Sequence, residues 1–157
     1  MMRELNELEL SALMTYCISL ARKSPPYVRA PHVGALVIDE AGTIIGRGYR
    51  DFLASTRFIQ HAERMALDQA EDRARGATLI TTLEPCIPVR DSILMSCSEL
   101  IVKRGISTVI YGVNDNSPTV NNKRGIQFLE REGIQVFQYK GCNKAIQELV
   151  PYLQLRE

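Results

Sequence analysis

The sequence has 157 residues, of which 45% are hydrophobic and 24% charged, with 19 basic against 18 acidic side chains. This length and composition fit one domain with a substantial core, and they exclude a disordered chain and a collagen-like repeat. The formal net charge of +1 gives no electrostatic reason to expect a polyanionic partner. The chemically informative residues are scarce, because the chain has four cysteines, two histidines and no tryptophan.

The sequence carries no targeting or membrane signal. No apolar run approaches the ~18 residues that a membrane-spanning helix needs. The N-terminus carries Glu4, Glu7 and Glu9, whereas a secretory signal begins with positive charge. We therefore expect a cytoplasmic protein whose cysteines are free thiols or metal ligands rather than disulfides.

Hydrophobic periodicity and turn residues divide the chain into alternating helices and strands. The predicted elements are, in chain order, a helix over residues 7–22, strands over 33–38 and 43–48, a loop over 50–60, a helix over 61–72, a strand over 77–82, a helix that ends at 103–104, a strand over 107–112, a helix over 123–132, a strand over 134–139 and a short helix from 143. This order predicts an α/β fold, with helices packed on a mixed sheet. We expect a single domain over residues 1–157, with its core over 8–140 and a helical tail over 143–155.

Polar side chains predict where three of these helices begin. Asn6 and Glu9 have the spacing of a capping box before the first helix. Asp91 or Ser92 is predicted to cap the helix that ends at 103–104, and Asn143 is predicted to cap the last helix.

Three short segments carry the chemistry: the pair His61 and Glu63, the dipeptide Pro85-Cys86, and Cys97. The first opens a predicted helix and the second follows a predicted strand, and ligand sites in open α/β sheets lie at such places. One imidazole and two thiolates give Zn²⁺ three protein ligands and leave a fourth position for water, as in catalytic zinc sites. Glu63 is then placed to act as general base and general acid.

This pattern is similar to the zinc-deaminase signature H-x-E followed by P-C-x-x-C, except that residues 87–96 lie between the two cysteines. A loop over 87–91 and a new helix can still present Cys97 to the site. His61 alone would more often be a structural histidine, but its coincidence with Pro85-Cys86 favours the metal. Cys17 is expected in the core and Cys142 in a loop, while His32 is either a polar residue at the cleft edge or a substrate contact.

The chain resembles the cytidine-deaminase superfamily, and most closely the deaminase domain of the riboflavin-pathway pyrimidine deaminases (diaminohydroxyphosphoribosylaminopyrimidine deaminases). The resemblance covers residues 10–139. It is carried by the segments 31–35, 46–49, 61–63, 74–86 and 115–125. It implies a three-layer cytidine-deaminase-like fold, with a five-stranded sheet between helices on both faces.

The resemblance also implies a hydrolytic deaminase that removes an exocyclic amino group from a small aminopyrimidine-type base, nucleoside or nucleotide. Water activated by Zn²⁺ would attack the ring, and Glu63 would shuttle the protons. The candidate substrate contacts are Ala62, Thr82, Glu84, Arg50, Arg90 and His32. For the two arginines, a solvated loop charge is the alternative. The family further implies a homodimer or homotetramer.

Several departures from the family concern the positions that read the substrate. Ala30 stands where the riboflavin-pathway enzymes have asparagine, Arg50 where they have histidine, and residues 87–91 lack their histidines and glycines. The fused reductase domain is also absent from this sequence, which ends at Glu157. The metal site is therefore expected to be retained, while the identity of the base or nucleotide stays open.

Two other functions remain alternatives at this point. A deaminase acting on tRNA or single-stranded DNA should present a basic, aromatic surface, and the balanced charge and lack of tryptophan argue against one. A non-catalytic zinc-stabilised scaffold would need a fourth protein ligand, and it would leave Glu63 without a role.

Overall fold

The computed structural model describes residues 4–25, 31–52, 59–86, 95–115 and 124–150. Its elements are, in chain order, α1 Glu7–Ala21, β1 Gly34–Ile38, β2 Ile44–Tyr49, β3 Asp51–Phe52, β4 Ile59–Gln60, α2 Ala62–Ala70, β5 Thr78–Leu83, α3 Cys97–Lys103, β6 Thr108–Val113, α4 Arg124–Arg131, β7 Gln135–Gln138 and α5 Asn143–Gln147. A short 3-10 helix, Glu71–Ala74, follows α2 directly.

The main sheet has five strands in the order β2-β1-β5-β6-β7. Strand β1 is antiparallel to β2 and to β5, whereas β5, β6 and β7 run parallel. The predicted five-stranded mixed sheet is therefore confirmed. The predicted loop over residues 50–60 contains a further antiparallel pair, in which Asp51 lies opposite Gln60 and Phe52 opposite Ile59.

Helices cover both faces of this sheet, as two close backbone approaches demonstrate. A Cβ atom on Gly34 would lie 1.8 Å from the Cys17 carbonyl oxygen, so α1 covers this side of β1. The next residue, Ala35, pairs with Gly48, where a Cβ atom would lie 2.0 Å from the carbonyl oxygen of Ala62 in α2. Successive strand residues point to opposite faces, so α1 and α2 lie on opposite sides of the sheet.

The core strands are buried on both faces for the same reason. Every residue of β1 and of β5 is buried, as is typical of strands between two helical layers. Cys17 lies in this core as predicted, fully buried, and its thiol donates to the Ile80 carbonyl oxygen at 3.6 Å. Burial raises the pKa of the Cys17 thiol.

Among the helices in the described ranges, none has the length and apolarity needed to cross a bilayer.

The first and last helix starts test two of the cap predictions. The capping box of α1 is confirmed, since the Glu9 N–H donates to Asn6 Oδ1 at 2.8 Å and the Asn6 N–H donates to Glu9 Oε1 at 3.3 Å. The predicted cap of the last helix is wrong. Cys142 occupies the N-cap of α5, and Asn143 is already its first helical residue.

The third helix start also differs from the sequence prediction. Helix α3 begins at Cys97 and is capped by Ser96, which forms a capping box with Glu99. Asp91 and Ser92, the predicted caps, lie outside the described residues. The Ser-x-x-Glu spacing at Ser96 and Glu99 was a sequence signal for this start.

The approach of α2 to β2 leads to a first prediction. Replacing Gly48 by alanine forces a Cβ atom against the Ala62 carbonyl, so the variant should lose about 3 kcal/mol of unfolding free energy, as overpacked cores do. Urea unfolding measures this loss. The control is Gly133→Ala, where no atom lies within 4 Å and φ is +86°. It should lose only about 1 kcal/mol for backbone strain. Equal losses in both variants would contradict the proposed contact.

Candidate active site

The candidate site lies where α2 and α3 begin and β5 ends. His61 is the N-cap residue of α2, with extended backbone at φ −72° and ψ 153°. Glu63 lies in the first turn of α2, Cys86 follows β5, and Cys97 is the first residue of α3. Three segments that are distant in sequence therefore present their side chains to one place.

His61, Cys86 and Cys97 form a group with the dimensions of a metal site. Their ligand atoms all lie within 4.8 Å of one another. The Nδ1 atom of His61 is 3.2 Å from Cys97 Sγ and 3.9 Å from Cys86 Sγ. A tetrahedral Zn²⁺ at ordinary bond lengths separates nitrogen and sulfur ligands by about 3.6 Å, and the two observed distances bracket this value. The donor set and its spacing thus fit zinc.

Hydrogen bonds from α3 fix the Cys86 loop. The Cys97 N–H donates to Cys86 Sγ at 3.2 Å. The Ser98 N–H and hydroxyl both donate to the Cys86 carbonyl oxygen, at 3.2 Å and 2.6 Å. The N–H groups and dipole at a helix N-terminus favour a thiolate. The start of α3 therefore both supplies one ligand and orients the other.

Contacts along their length hold α2 and α3 together. The Arg104 guanidinium at the end of α3 pairs with the Asp68 carboxylate at 2.8 Å and donates to the Leu67 carbonyl oxygen at 3.1 Å. The Arg64 guanidinium donates to the Met95 carbonyl oxygen just before α3. These contacts set the relative position of the two helices whose first turns carry His61 and Cys97.

The two thiols have opposite pKa shifts. A hydrogen bond from Cys97, together with the neighbouring His61, lowers the pKa of Cys86 to about 4 despite its burial. The same hydrogen bond, burial and the nearby Glu63 charge raise the pKa of Cys97. Zn²⁺ binds cysteines as thiolates, so metal binding releases the proton of any ligand cysteine that is still protonated.

Glu63 lies beside this group with its carboxylate buried. The residue is only 4% exposed, and its Oε1 atom accepts a hydrogen bond from the Thr81 hydroxyl at 3.1 Å. An ionised carboxylate is rarely buried without such partners. The Glu63 charge also acts on the Cys97 thiol, so the carboxylate lies close to the ligand group. Its predicted role as general base and general acid stays a prediction.

Glu84 lies at the end of β5, where its side chain joins two strand ends. It is 2% exposed, and its Oε1 atom accepts from Asn114 Nδ2 at 3.2 Å and from the Asp115 N–H at 3.1 Å. Asn114 is also reached by Gln138 Nε2 at 3.4 Å. Glu84 thus links the Cys86 loop to the ends of β6 and β7. Its predicted role in binding substrate stays a prediction.

Three other predicted substrate contacts are Thr82, Ala62 and His32. Thr82 is fully buried, and its hydroxyl accepts from the Gly34 N–H at 3.3 Å. Ala62 is buried as the first residue of α2, and the side chain of its N-cap residue makes no capping hydrogen bond. His32 is half-buried, and its backbone N–H donates to the Leu149 carbonyl oxygen at 3.1 Å. Their substrate roles stay predictions.

Arg50 follows β2 directly and is half-buried. Its backbone N–H donates to the Val33 carbonyl oxygen at 3.3 Å. Its Nε atom is buried and has no hydrogen-bond partner among the described residues. Arg90, Ala30 and the segment 87–91 lie outside those residues.

Sequence reasoning missed three residues that support this site: Thr81, Ser98 and Asn114. Thr81 and Ser98 are fully buried polar residues. Buried polar groups need partners, so the adjacent polar residues of β5 and the serines flanking Cys97 were available signals. Nothing in the sequence indicated the pairing of Asn114 with Glu84.

Comparison with known proteins identifies the family. The family described as cytidine and deoxycytidylate deaminase zinc-binding region matches residues 8–113. The chain belongs to this family. The family is described by its zinc-binding region, and His61, Cys86 and Cys97 form a group in this chain that could hold a zinc ion.

Relatives within this deaminase family include longer proteins. The riboflavin biosynthesis protein RibD of Aquifex aeolicus is 39% identical over 124 residues, which cover 78% of this chain and 33% of that protein. The structure of a diaminohydroxyphosphoribosylaminopyrimidine deaminase/5-amino-6-(5-phosphoribosylamino)uracil reductase from Thermotoga maritima has a TM-score of 0.74 at 33% identity, covering 92% of this chain and 40% of that one. The chain thus spans about a third of the length of its RibD relatives.

A further structure shares the deaminase fold. The Rib2 deaminase of Aspergillus oryzae, a C-terminal deletion mutant in complex with DARIPP, has a TM-score of 0.72 at 24% identity and covers 90% of this chain and 89% of that one. The cytidine-deaminase-like fold implied by the sequence resemblance is therefore confirmed.

The ligand group leads to a second prediction. The protein should bind one Zn²⁺, and His61→Ala, Cys86→Ser or Cys97→Ser should each weaken binding by at least ~100-fold, because even outer partners of zinc ligands contribute 10- to 100-fold. Competition with a chromophoric chelator measures the affinity. Cys142→Ser is the matched control, since this half-buried thiol lies outside the group. Unchanged affinity in Cys97→Ser would remove Cys97 from the ligand set.

Proposed function

We propose that the protein is a zinc-dependent hydrolytic deaminase that removes an exocyclic amino group from a small aminopyrimidine-type base, nucleoside or nucleotide. One observation carries the proposal: the buried Glu63 carboxylate lies next to Cys97, in a group that has three metal ligands among the residues that the structure describes. Such a donor set leaves a coordination position open for water. A purely structural metal would give Glu63 no role.

The proposed mechanism assigns separate tasks to the side chains. His61, Cys86 and Cys97 would hold Zn²⁺, which when bound lowers the pKa of a water molecule to ~7 and so supplies a nucleophile at neutral pH. Glu63 would accept one proton from this water and deliver it to the ring nitrogen as the water oxygen bonds to the amine-bearing carbon. It would then carry the second proton of that oxygen to the leaving nitrogen, so that the C–N bond breaks, ammonia departs and the carbon keeps the oxygen as a carbonyl.

The comparisons support an aminopyrimidine as the substrate class. The Thermotoga maritima protein is named for the deamination of a phosphoribosylated aminopyrimidine, and the Aquifex aeolicus relative is named for riboflavin biosynthesis. The balanced charge of the chain also favours a small molecule over a nucleic acid. We therefore place a phosphorylated aminopyrimidine first among the candidate substrates.

Arg50 is the residue that we propose for the substrate phosphate. It lies directly after β2, and its buried Nε atom has no acceptor within the ranges that the structure describes. A guanidinium N–H without an acceptor can donate a charge-assisted hydrogen bond to a phosphate oxygen. Arg50 stands where the riboflavin-pathway enzymes have histidine, so this contact would be a feature of this chain.

We further propose a single deaminase domain that works in the cytoplasm as a homo-oligomer. All four cysteines are free thiols, which suits a reducing compartment. The oligomer follows from the family resemblance alone, and the size of the purified protein in solution tests it.

Glu63 provides the third prediction. Glu63→Gln should lower the rate of ammonia release by about 100-fold or more, the usual contribution of a general acid–base group, while zinc affinity stays unchanged. Ammonia release by the zinc-loaded protein and chelator competition measure the two quantities. Glu132→Gln removes an exposed carboxyl and serves as control. Wild-type turnover by E63Q would exclude this mechanism.

The substrate class is tested by ammonia release from a panel of aminopyrimidines, nucleosides, nucleotides and short single-stranded nucleic acids. We expect turnover of a small aminopyrimidine compound. Turnover of oligonucleotides alone would indicate a nucleic-acid deaminase. No turnover of any compound, together with a fourth protein ligand on the bound zinc, would indicate a scaffold.

The fourth prediction concerns Arg50. For a phosphorylated substrate, Arg50→Ala should raise KM by about 10- to 100-fold, the loss expected from a charge-assisted hydrogen bond of ~1.5–3 kcal/mol. The KM for the matching unphosphorylated compound should not change. Steady-state kinetics with both compounds checks this. Arg47→Ala, an exposed arginine of β2 whose guanidinium contacts Tyr16, is the control. Equal KM increases for both compounds would refute a phosphate contact.

A further inference from the structure

The hydroxyl of Thr81 makes the contact from which a further inference follows. Thr81 lies in the central strand β5 and is fully buried. Its Oγ1 atom is 3.1 Å from Glu63 Oε1 and 3.2 Å from the Leu83 carbonyl oxygen. Its neighbour Thr82 directs its hydroxyl to the Gly34 N–H of β1 instead. Only one of these two adjacent threonines therefore touches the carboxylate of the site.

A threonine hydroxyl has one hydrogen to donate and can accept two hydrogen bonds. Donation to an ionised carboxylate gives a stronger bond than donation to a neutral carbonyl. With Glu63 ionised, the hydrogen of Thr81 therefore points to Oε1 of Glu63. Because both side chains are excluded from solvent, water does not compete for this bond.

We propose that Thr81 is the positioning residue of the proton shuttle, holding one oxygen of the Glu63 carboxylate so that the other faces the reacting atoms. This inference rests on the deaminase function proposed above. The glutamate side chain has several rotatable bonds, and the backbone that carries it belongs to α2. Its position in the helix therefore does not fix its carboxylate. The hydrogen bond ties its far end to β5, the strand that also leads into Cys86. The shuttle and one metal ligand thereby share a common support.

The same contact persists after proton transfer. The proton taken from water is carried by the Glu63 oxygen that faces the reacting atoms, so Oε1 has no hydrogen and still accepts the hydrogen bond from the Thr81 hydroxyl. The two residues stay in contact in both states, so Glu63 keeps its position while it receives and gives up protons.

The test compares Thr81→Val, which keeps the shape of the side chain and removes the hydroxyl, with Thr81→Ser, which keeps the hydroxyl. On the panel compound that the wild type deaminates fastest, T81V should lower kcat by about 10- to 100-fold, the cost of a misplaced catalytic group. KM should stay within about twofold, since the contact does not bind substrate. T81S should recover most of the lost kcat.

Thr78→Val is the matched control, because it removes another fully buried hydroxyl from the opposite end of the same strand. It should leave kcat unchanged even if it lowers stability. Thr81→Ala provides the same comparison should T81V fail to fold. A kcat of T81V equal to wild type, or a T81S protein as slow as T81V, would overturn the inference.

A spectroscopic measurement tests the contact without activity. In protein labelled with ¹³C at the glutamate carboxyl carbon, the Glu63 resonance is the one missing from E63Q. It should shift in T81V and return in T81S. An unshifted resonance would overturn the inference. A wild type that deaminates no compound would overturn the proposed function instead, while the resonance still reports on the contact.

Discussion

The hydrogen bonds between the start of α3 and Cys86 are the interaction on which the site depends. Residues 87–96 separate the two cysteines in the sequence, where a P-C-x-x-C turn has two residues. The Cys97 N–H on Cys86 Sγ and the two donors of Ser98 on the Cys86 carbonyl oxygen replace such a turn. They also place a thiolate at a helix N-terminus, where it is electrostatically favoured.

The remaining parts of the site are held by β5 and β2. Thr81 donates to the Glu63 carboxylate from within β5, and Glu84 joins the Cys86 loop to Asn114 after β6. Because Gly48 has no side chain, α2 packs closely on β2, and this packing fixes the helix that carries Glu63 and is capped by His61. The reactive groups are thus supported by rigid elements, as sites that must hold a fixed geometry require.

The strands and the grouping of His61, Cys86 and Cys97 could be predicted because each leaves a local pattern: unbroken apolar runs for the strands, and rare residue types at helix starts and strand ends for the group. The three-layer order was implied by the family resemblance. Two cap positions were predicted wrongly, since several polar residues near a helix start are chemically equivalent candidates and tertiary packing chooses among them. Asn143 became the first residue of α5, and Ser96 took the cap of α3. The pairing of Thr81 with Glu63 and of Asn114 with Glu84 depends on side-chain geometry across the fold, which no local pattern encodes.

The capping box of α3 has a consequence for how this site can change over evolution. Ser96 and Glu99 fix the helix start through hydrogen bonds within four residues, and Cys97 takes its position from them. The position of Cys97 therefore does not depend on the length or composition of the chain between Cys86 and Ser96. In a P-C-x-x-C turn, by contrast, the residues between the two cysteines determine where the second cysteine lies. In this chain, the segment between Cys86 and Ser96 can therefore change in length and sequence while the group of His61, Cys86 and Cys97 keeps its geometry.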